Sequence, residues 1–346
     1  MNHRHPAGHI SCERQRKAMK RRLFIKSGLS LSGGLIVHSP LQSLAAAGSG
    51  WEASRIVIAR DEQLQKGQAG ADGDRLGKLL DKAVQAFFKS DAPLTAWKQL
   101  VRPGEVIGLK VNCLSGRRGG THPELVALIS ERLQQSGVPA ENIIIWDRLN
   151  EDLEDGGFRI AFKGKRIRCF GNDTAGFADD FEMSGSAASL VSKTLTKYCD
   201  AVINLPVLKD HGIAGVTLSM KNMFGAIHNP NKYHLDVGDP YIPDVYMLPS
   251  IRNKIRLTIC DAIQGQYEGG PSWMPQWSWP FNGLLVGSDP VALDYTGWQI
   301  IEEERKRRGL KSLREVKREP TYISTAADAR HRLGTNDPAR MEKIYV

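Results

Sequence analysis

No C-x-x-C pair occurs in the 346-residue chain, and its five cysteines, Cys12, Cys113, Cys169, Cys199 and Cys260, are widely scattered. That spacing argues against an intrinsic iron–sulfur or zinc cluster. Cys113 and Cys260 fall in or at the ends of apparent strands, where buried free thiols are common. Long apolar runs are also missing. The longest weakly apolar stretch, residues 27–37, is interrupted by Ser27, Gly28, Ser30, Ser32, Gly33 and Gly34. It falls well short of the roughly 20 residues that span a bilayer, so no stable membrane anchor is expected. Internal repeats and low-complexity linkers are absent as well.

The first fifty residues carry the clearest signal. Lys20-Arg21-Arg22-Leu23-Phe24-Ile25-Lys26 precedes the weakly apolar stretch, and Ala45-Ala46-Ala47 follows it. Paired arginines, an aromatic residue and a following lysine resemble a twin-arginine export signal, which is an address read by a receptor. The small residues fit a cleavage site. The expected organisation is therefore a signal peptide over residues 1–47, read by the twin-arginine export machinery through Arg21 and Arg22. A single α/β domain follows over residues 48–346, with a periplasmic or secreted location. Residues 1–47 contain eight Lys or Arg and one acid, so their removal lowers the formal charge from +9 to +2. The basic balance belongs mainly to the signal, and no nucleic-acid partner is expected without a basic face on the folded domain.

The mature chain alternates strand and helix patterns. Residues 55–59, 105–111, 142–147, 167–170, 201–205, 255–260 and 284–286 read as strands. Residues 74–89 read as a helix with Leu76, Leu79, Leu80, Ala83, Val84 and Phe87 on one face. Thr121-His122-Pro123-Glu124 reads as a capping box that starts a helix to Gln135. Helices are also expected over 186–198 and 217–225, and after the Asp289-Pro290 cap. Such alternation predicts an α/β fold, with a mainly parallel central sheet and helices on both faces. Two segments rich in Pro, Gly and aromatic residues, 228–249 and 267–281, read as long ordered loops. The second holds Trp273, Trp277 and Trp279, which cover the core or form a docking surface.

Ligands of open α/β sheets bind beyond the carboxyl ends of the strands. The densest candidate block there is Asn204-Leu-Pro-Val-Leu-Lys209-Asp210-His211, followed by Thr217, Lys221 and Asn222. A basic loop meeting a helix start favours a small carboxylate or phosphate. Lys209 and Lys221 would neutralise the anion, with Thr217 and Asn222 as hydrogen-bonding residues. His211 would act as an acid–base group or metal ligand, and Asp261 as the paired carboxylate. Asp147 also ends a strand. The loop from Asn112 through Arg117 and Arg118 to Thr121 is a second candidate anion cradle, although it is neither a Walker loop nor a dinucleotide fingerprint. His211, His228 and His234 form a candidate set for a divalent transition metal.

Several segments resemble a bacterial family, the domain of unknown function 362. They are Ile107-Gly-Leu-Lys110-Val-Asn112, Thr121-His-Pro-Glu124, Leu205-Pro-Val-Leu-Lys209-Asp-His211, Lys221-Asn222-Met-Phe-Gly225 and Ser288-Asp289-Pro290-Val-Ala-Leu-Asp294. The order of these motifs covers nearly the whole mature chain, and Val111 stands where the family usually has proline. Ferredoxin-type cysteines found in several relatives are absent here. The resemblance implies the fold and the Lys209–Asn222 site. The functional expectation is an exported enzyme, dependent on a metal or cofactor, that acts on a small anionic substrate. The alternative is a non-enzymatic periplasmic protein that binds or delivers a metal or redox cofactor.

Overall fold

A computed structural model describes residues 53–65 and 71–346. Arg21, Arg22, the alanine triplet and the expected boundary at residue 47 lie outside the described residues. Twelve strands are described: β1 (Ser54–Arg60), β2 (Ile107–Lys110), β3 (Ile143–Trp146), β4 (Arg168–Cys169), β5 (Phe177–Ser184), β6 (Ala187–Ser192), β7 (Ala201–Asn204), β8 (Val207–His211), β9 (Gly215–Thr217), β10 (Ile255–Gln266), β11 (Ser278–Gly287) and β12 (Met341–Tyr345). The main sheet runs β12-β1-β11-β10-β7-β2-β3-β4, with β8 and β9 attached to β10. From β10 to β4 every neighbour is parallel, while β11 is antiparallel to both β10 and β1.

Strand composition explains this layout. β2 and β7 are buried at every position, as expected of parallel strands covered on both faces. Successive residues feed different cores. Val57 and Ala59 join Leu76, Leu80 and Ile129 on one side, whereas Ile56 and Ile58 join Leu218, Val291 and Ile301 on the other. The Gly73–Phe88 and Pro123–Gln135 helices thus cover one face, and the Pro290–Arg307 helix covers the other. This is the α/β architecture with a largely parallel sheet that the alternation of patterns predicts. Among the described residues, no helix is long and apolar enough to cross a membrane.

Four local expectations need correction. Residues 186–198 contain strand β6 and a π-turn, because Ala187, Ser189 and Val191 are buried with a period of two and β6 pairs with β5. Thr121 does not cap a helix. Its hydroxyl donates to the Leu205 carbonyl and accepts from Asn112 N, tying β2 to β7, and His122 occupies the cap position. Lys209-Asp210-His211 is strand rather than loop, paired with β9 and β10. Finally, Thr217 ends β9 rather than starting the helix, which spans Ser219–Asn222 and continues as a 3-10 turn over Met223–Ala226. The 228–249 segment holds short helical turns, and Trp279 and Phe281 are buried on β11, so the aromatic segment covers core.

Asp289 caps its helix as expected, accepting from Val291 N and Ala292 N at 2.9 Å, and also accepts from Thr335 N and Ser54 Oγ. Asp289→Ala removes a cap and a tie between β1 and the C-terminal segment. It is expected to lower stability by about 2 kcal/mol, read by urea denaturation, without changing the folded circular dichroism spectrum.

Candidate functional site

Strand order reverses between β2 and β7. The chain passes from β2 outward to β3 and β4, then returns to β7 and continues toward β10. The crevice beyond such a switch point is where open α/β sheets bind ligands. Here the register sets Lys110 beside Trp146 and Asn204, so Lys110, Asp147 and Asn204 emerge together at the strand ends. β8 and β9 fold across this edge with Lys209 directly opposite Thr217. Alternation along β8 sends Lys209 and His211 to one face and Asp210 to the other. On that opposite face Asp210 accepts from Gly270 N at 2.8 Å and pairs with Arg318 at 3.1 Å, anchoring the strand.

The result is a cavity of about 370 Å³, whose lining includes Lys110, Asn112, Asp147, Asp152, Lys209, His211, Thr217, Lys221, Asn222 and His234. Exposed Leu114 and Ile213 flank it. A second cleft of about 340 Å³ lies near Arg60, Arg307 and Arg308. Its cations are already engaged: Arg307 and Arg308 pair with Glu304, and Arg60 donates to the Phe281 carbonyl.

Three lysines enter the first cavity, with exposures of 1 % for Lys110, 2 % for Lys209 and 8 % for Lys221. Lys110 Nζ is paired with Asp147 Oδ1 at 2.7 Å and also donates to the Val111 carbonyl. Asp147 Oδ2 accepts from Cys113 N at 2.7 Å. Lys209 has only neutral acceptors: Ser115 Oγ at 2.6 Å, Asn112 Oδ1 at 3.0 Å and the Gly119 carbonyl at 3.2 Å. Lys221 Nζ has no hydrogen-bond acceptor among the described residues, and sits 4.0 Å from the centre of the Phe224 ring. Burial lowers Lys209 from 10.5 to about 8. Burial, assisted by the Lys209 charge, lowers Lys221 to about 7.

An amide relay fixes the floor. Asn112 Nδ2 donates to Asn222 Oδ1 at 3.0 Å, Asn222 Nδ2 to Asn204 Oδ1 at 2.8 Å, and Asn204 Nδ2 to the Ser219 carbonyl at 2.9 Å. The turn that carries Lys221 and Asn222 is held by Asp294, which accepts from Ser219 N at 2.7 Å and Met220 N at 3.2 Å.

His211 differs from its expected role. Its Nδ1 accepts the backbone N–H groups of Ile213 and Ala214, both at 3.1 Å, so the neutral ring carries its proton on Nε2. Burial and the Lys221 charge push its pKa down to about 2. His211 is therefore a neutral hydrogen-bond donor. Metal ligation through Nε2 would require loss of that proton, whereas ligating histidines normally donate through the other nitrogen. His234 stacks on His211 with ring centres 5.6 Å apart, and its Nδ1 faces the Asn231 carbonyl at 3.3 Å. His228 is exposed and packs edge-on against Phe177, apart from the other two. The three-histidine set is thus not assembled, and no group of three or more His, Cys, Asp or Glu suited to a metal occurs among the described residues.

Asp261 also lies elsewhere. It is fully buried, and its Oδ2 meets both the backbone N and Nδ1 of His122 at 2.8 Å. Burial is the largest single influence and lowers the His122 pKa, but the charge and hydrogen bond of Asp261 together with the Glu124 charge raise it overall. Arg117 and Arg118 are exposed, with Arg117 paired to Glu124 at 3.2 Å. Their loop contributes Asn112, Ser115 and the Gly119 carbonyl instead. The sequence-based site set omits Lys110 and Ser115. Lys110 carried a readable signal: a lysine at the carboxyl end of an otherwise apolar strand.

Residues 107–299 match the family described as domain of unknown function DUF362, and the chain belongs to it. The chain is 28 % identical over 263 residues to a thylakoid-associated protein of Synechocystis sp., covering 71 % of this chain and 74 % of that protein. A solved structure from Thermotoga maritima aligns with a TM-score of 0.38 at 11 % identity, covering 69 % of this chain and 60 % of that one.

Replacing Lys221 tests its burial. Because the folded pKa is depressed, the unfolded chain holds more protons between about pH 7 and 10.5, so stability rises with pH across that window. Lys221→Met is expected to raise stability at pH 7 by about 2–4 kcal/mol in buffer free of phosphate and sulfate. The gain should shrink toward pH 10. Urea titrations of both proteins at several pH values measure it.

Proposed function

We propose that this chain is an exported enzyme that binds a small anionic substrate, bearing a carboxylate or phosphate, at the carboxyl edge of its sheet. The observation that carries the reading is a cavity with two buried lysines, Lys209 and Lys221, that have no carboxylate partner among the described residues. Removing an ammonium from water costs several kcal/mol unless a counter-charge replaces the lost hydration. A bound anion supplies that counter-charge. His211 Nε2–H and the Thr217 hydroxyl, which has no partner among the described residues, add neutral hydrogen bonds. The histidines do not form a metal-ligand set, so no step of this reading runs through a metal. The export part rests on Arg21-Arg22, the short apolar stretch and Ala45-Ala46-Ala47.

Sulfate, which does not titrate near neutrality, is a suitable probe. It should bind most tightly below pH 7 and weaken above pH 8 as Lys221 and Lys209 lose their protons. Lys209→Gln should weaken it by about 10- to 100-fold, the loss expected when one of two buried counter-charges is removed. Calorimetry across pH measures both effects; undiminished binding by the variant overturns the reading.

Export is tested separately. In a bacterium with an intact twin-arginine translocon, an Arg21→Lys, Arg22→Lys double variant should remain in the cytoplasmic fraction while the parent reaches the periplasm. Equal periplasmic accumulation of both would refute the assignment.

A further inference from the structure

We infer that Lys221 is a nucleophile that condenses with the carbonyl of a small 2-oxo acid to form an imine, while the positive charge of Lys209 draws in the neighbouring carboxylate. The inference rests on the anion-site reading and deepens it by naming the substrate class.

Four features of the cavity carry it. First, Lys221 is the buried lysine whose amino group no acceptor among the described residues claims, which leaves its nitrogen lone pair available once a proton is lost. Lys110 is locked to Asp147, and Lys209 is held by Asn112, Ser115 and Gly119. Second, burial away from water and a second cation nearby are the two environments that activate lysines toward carbonyls. Lys221 is buried, and Lys209 is a cation close enough to depress it. Third, the stacked imidazoles have complementary polarity. His211 presents Nε2–H, suited to polarise a carbonyl oxygen. His234 directs Nδ1–H to Asn231, which leaves its Nε2 as an acceptor. Fourth, the Thr217 hydroxyl, without a partner among the described residues, lies across the strand pair from Lys209, placed to donate to the carboxylate.

The step balances within these groups. His234 takes one proton from the Lys221 ammonium, and the freed amine adds to the carbonyl carbon. A second proton moves from nitrogen to oxygen, giving a carbinolamine whose oxygen His211 steadies. His234 returns its proton as the hydroxyl departs as water. The iminium that remains keeps one hydrogen on nitrogen, so ammonium and ketone yield iminium and water with no net proton change. Near neutral pH the half-deprotonated Lys221 has a free-amine fraction roughly a thousandfold above that of an ordinary exposed lysine.

The test is reductive trapping on the full-length protein. Pyruvate and borohydride are added at pH 7.5, and modified peptides are mapped by mass spectrometry, with sulfate as competitor and calorimetry of pyruvate and sulfate in parallel. The expected result is a single carboxyethyl group on Lys221, on the order of a hundredfold above exposed lysines such as Lys78. Sulfate should suppress it, and Lys221→Arg should lose it. Mapping on the parent protein keeps the test decisive even where the variant folds poorly. Sulfate binding without preferential labelling of Lys221 overturns the imine and leaves the anion site standing. Absence of binding by both sulfate and pyruvate overturns the two together.

Discussion

The site is governed by the cost of burying three ammonium groups beside one paired carboxylate. Lys110 and Asp147 meet that cost locally, with the remaining valences taken by the Val111 carbonyl, Asn222 Oδ1, Cys113 N and Arg148 N. Lys209 and Lys221 do not. Neutral oxygens cradle one and an aromatic face touches the other, which is weaker compensation than a carboxylate. Both amines consequently lean toward their uncharged forms. A fold holds such groups only if their surroundings are rigid enough to forbid escape to water, and this need accounts for much of the construction around them.

That rigidity comes from sequence-distant parts. Asp294, on the Pro290–Arg307 helix, fixes the start of the short turn bearing Lys221 and Asn222. Burial raises its own pKa to about 8, so its strength as an anchor depends on the two backbone N–H bonds that favour its charge. The amide relay from Asn112 through Asn222 to Asn204 links β2, β7 and that turn, and each amide's orientation is set by the next. Gly225 completes the packing. A Cβ there would lie 2.9 Å from Lys110 Cε and 3.0 Å from Asp147 Oδ1, so glycine is what lets the chain pass over the ion pair.

Much of this was legible before the structure. Period-two and period-3.6 patterns located β1, β2, β3, β7 and the three long helices, because each is an amphipathic or fully buried unit whose residues report its surroundings. Asn112, Lys209, His211, Thr217, Lys221, Asn222 and His234 meet at the cavity because β2 ends there, β8 and β9 fold across the edge, and the Ser219–Asn222 and Pro230–Tyr233 turns pack beside them. What failed were inferences that needed tertiary pairing. Residues 186–198 have a pattern compatible with a helix until β5 is available as a partner. Thr121 looks like a cap until Leu205 is beside it. Asp261 follows a strand end like Asp147 but belongs to a strand that continues to Gln266, and it is turned to His122. His228 is near His234 in sequence, yet its ring packs on Phe177.

The hydrogen-bond polarity of the cavity narrows what can occupy it. Acceptors at its floor are already committed: Asn222 Oδ1 to Asn112 and Lys110, Asn112 Oδ1 to Lys209, and both Asp147 oxygens to Lys110 and backbone N–H groups. Lys221 Nζ and His211 Nε2–H remain as donors, Thr217 can serve either way, His234 Nε2 accepts, and the Asp152 carboxylate in the lining is paired with Arg148. A metal centre needs the opposite balance, with several lone pairs converging on one point. Donors converging in a largely desolvated space match an oxygen-rich anion. The single free imidazole acceptor then has a distinct use, because an anion needs no acceptor from its host, whereas a reaction at an amine needs a place for the proton it releases.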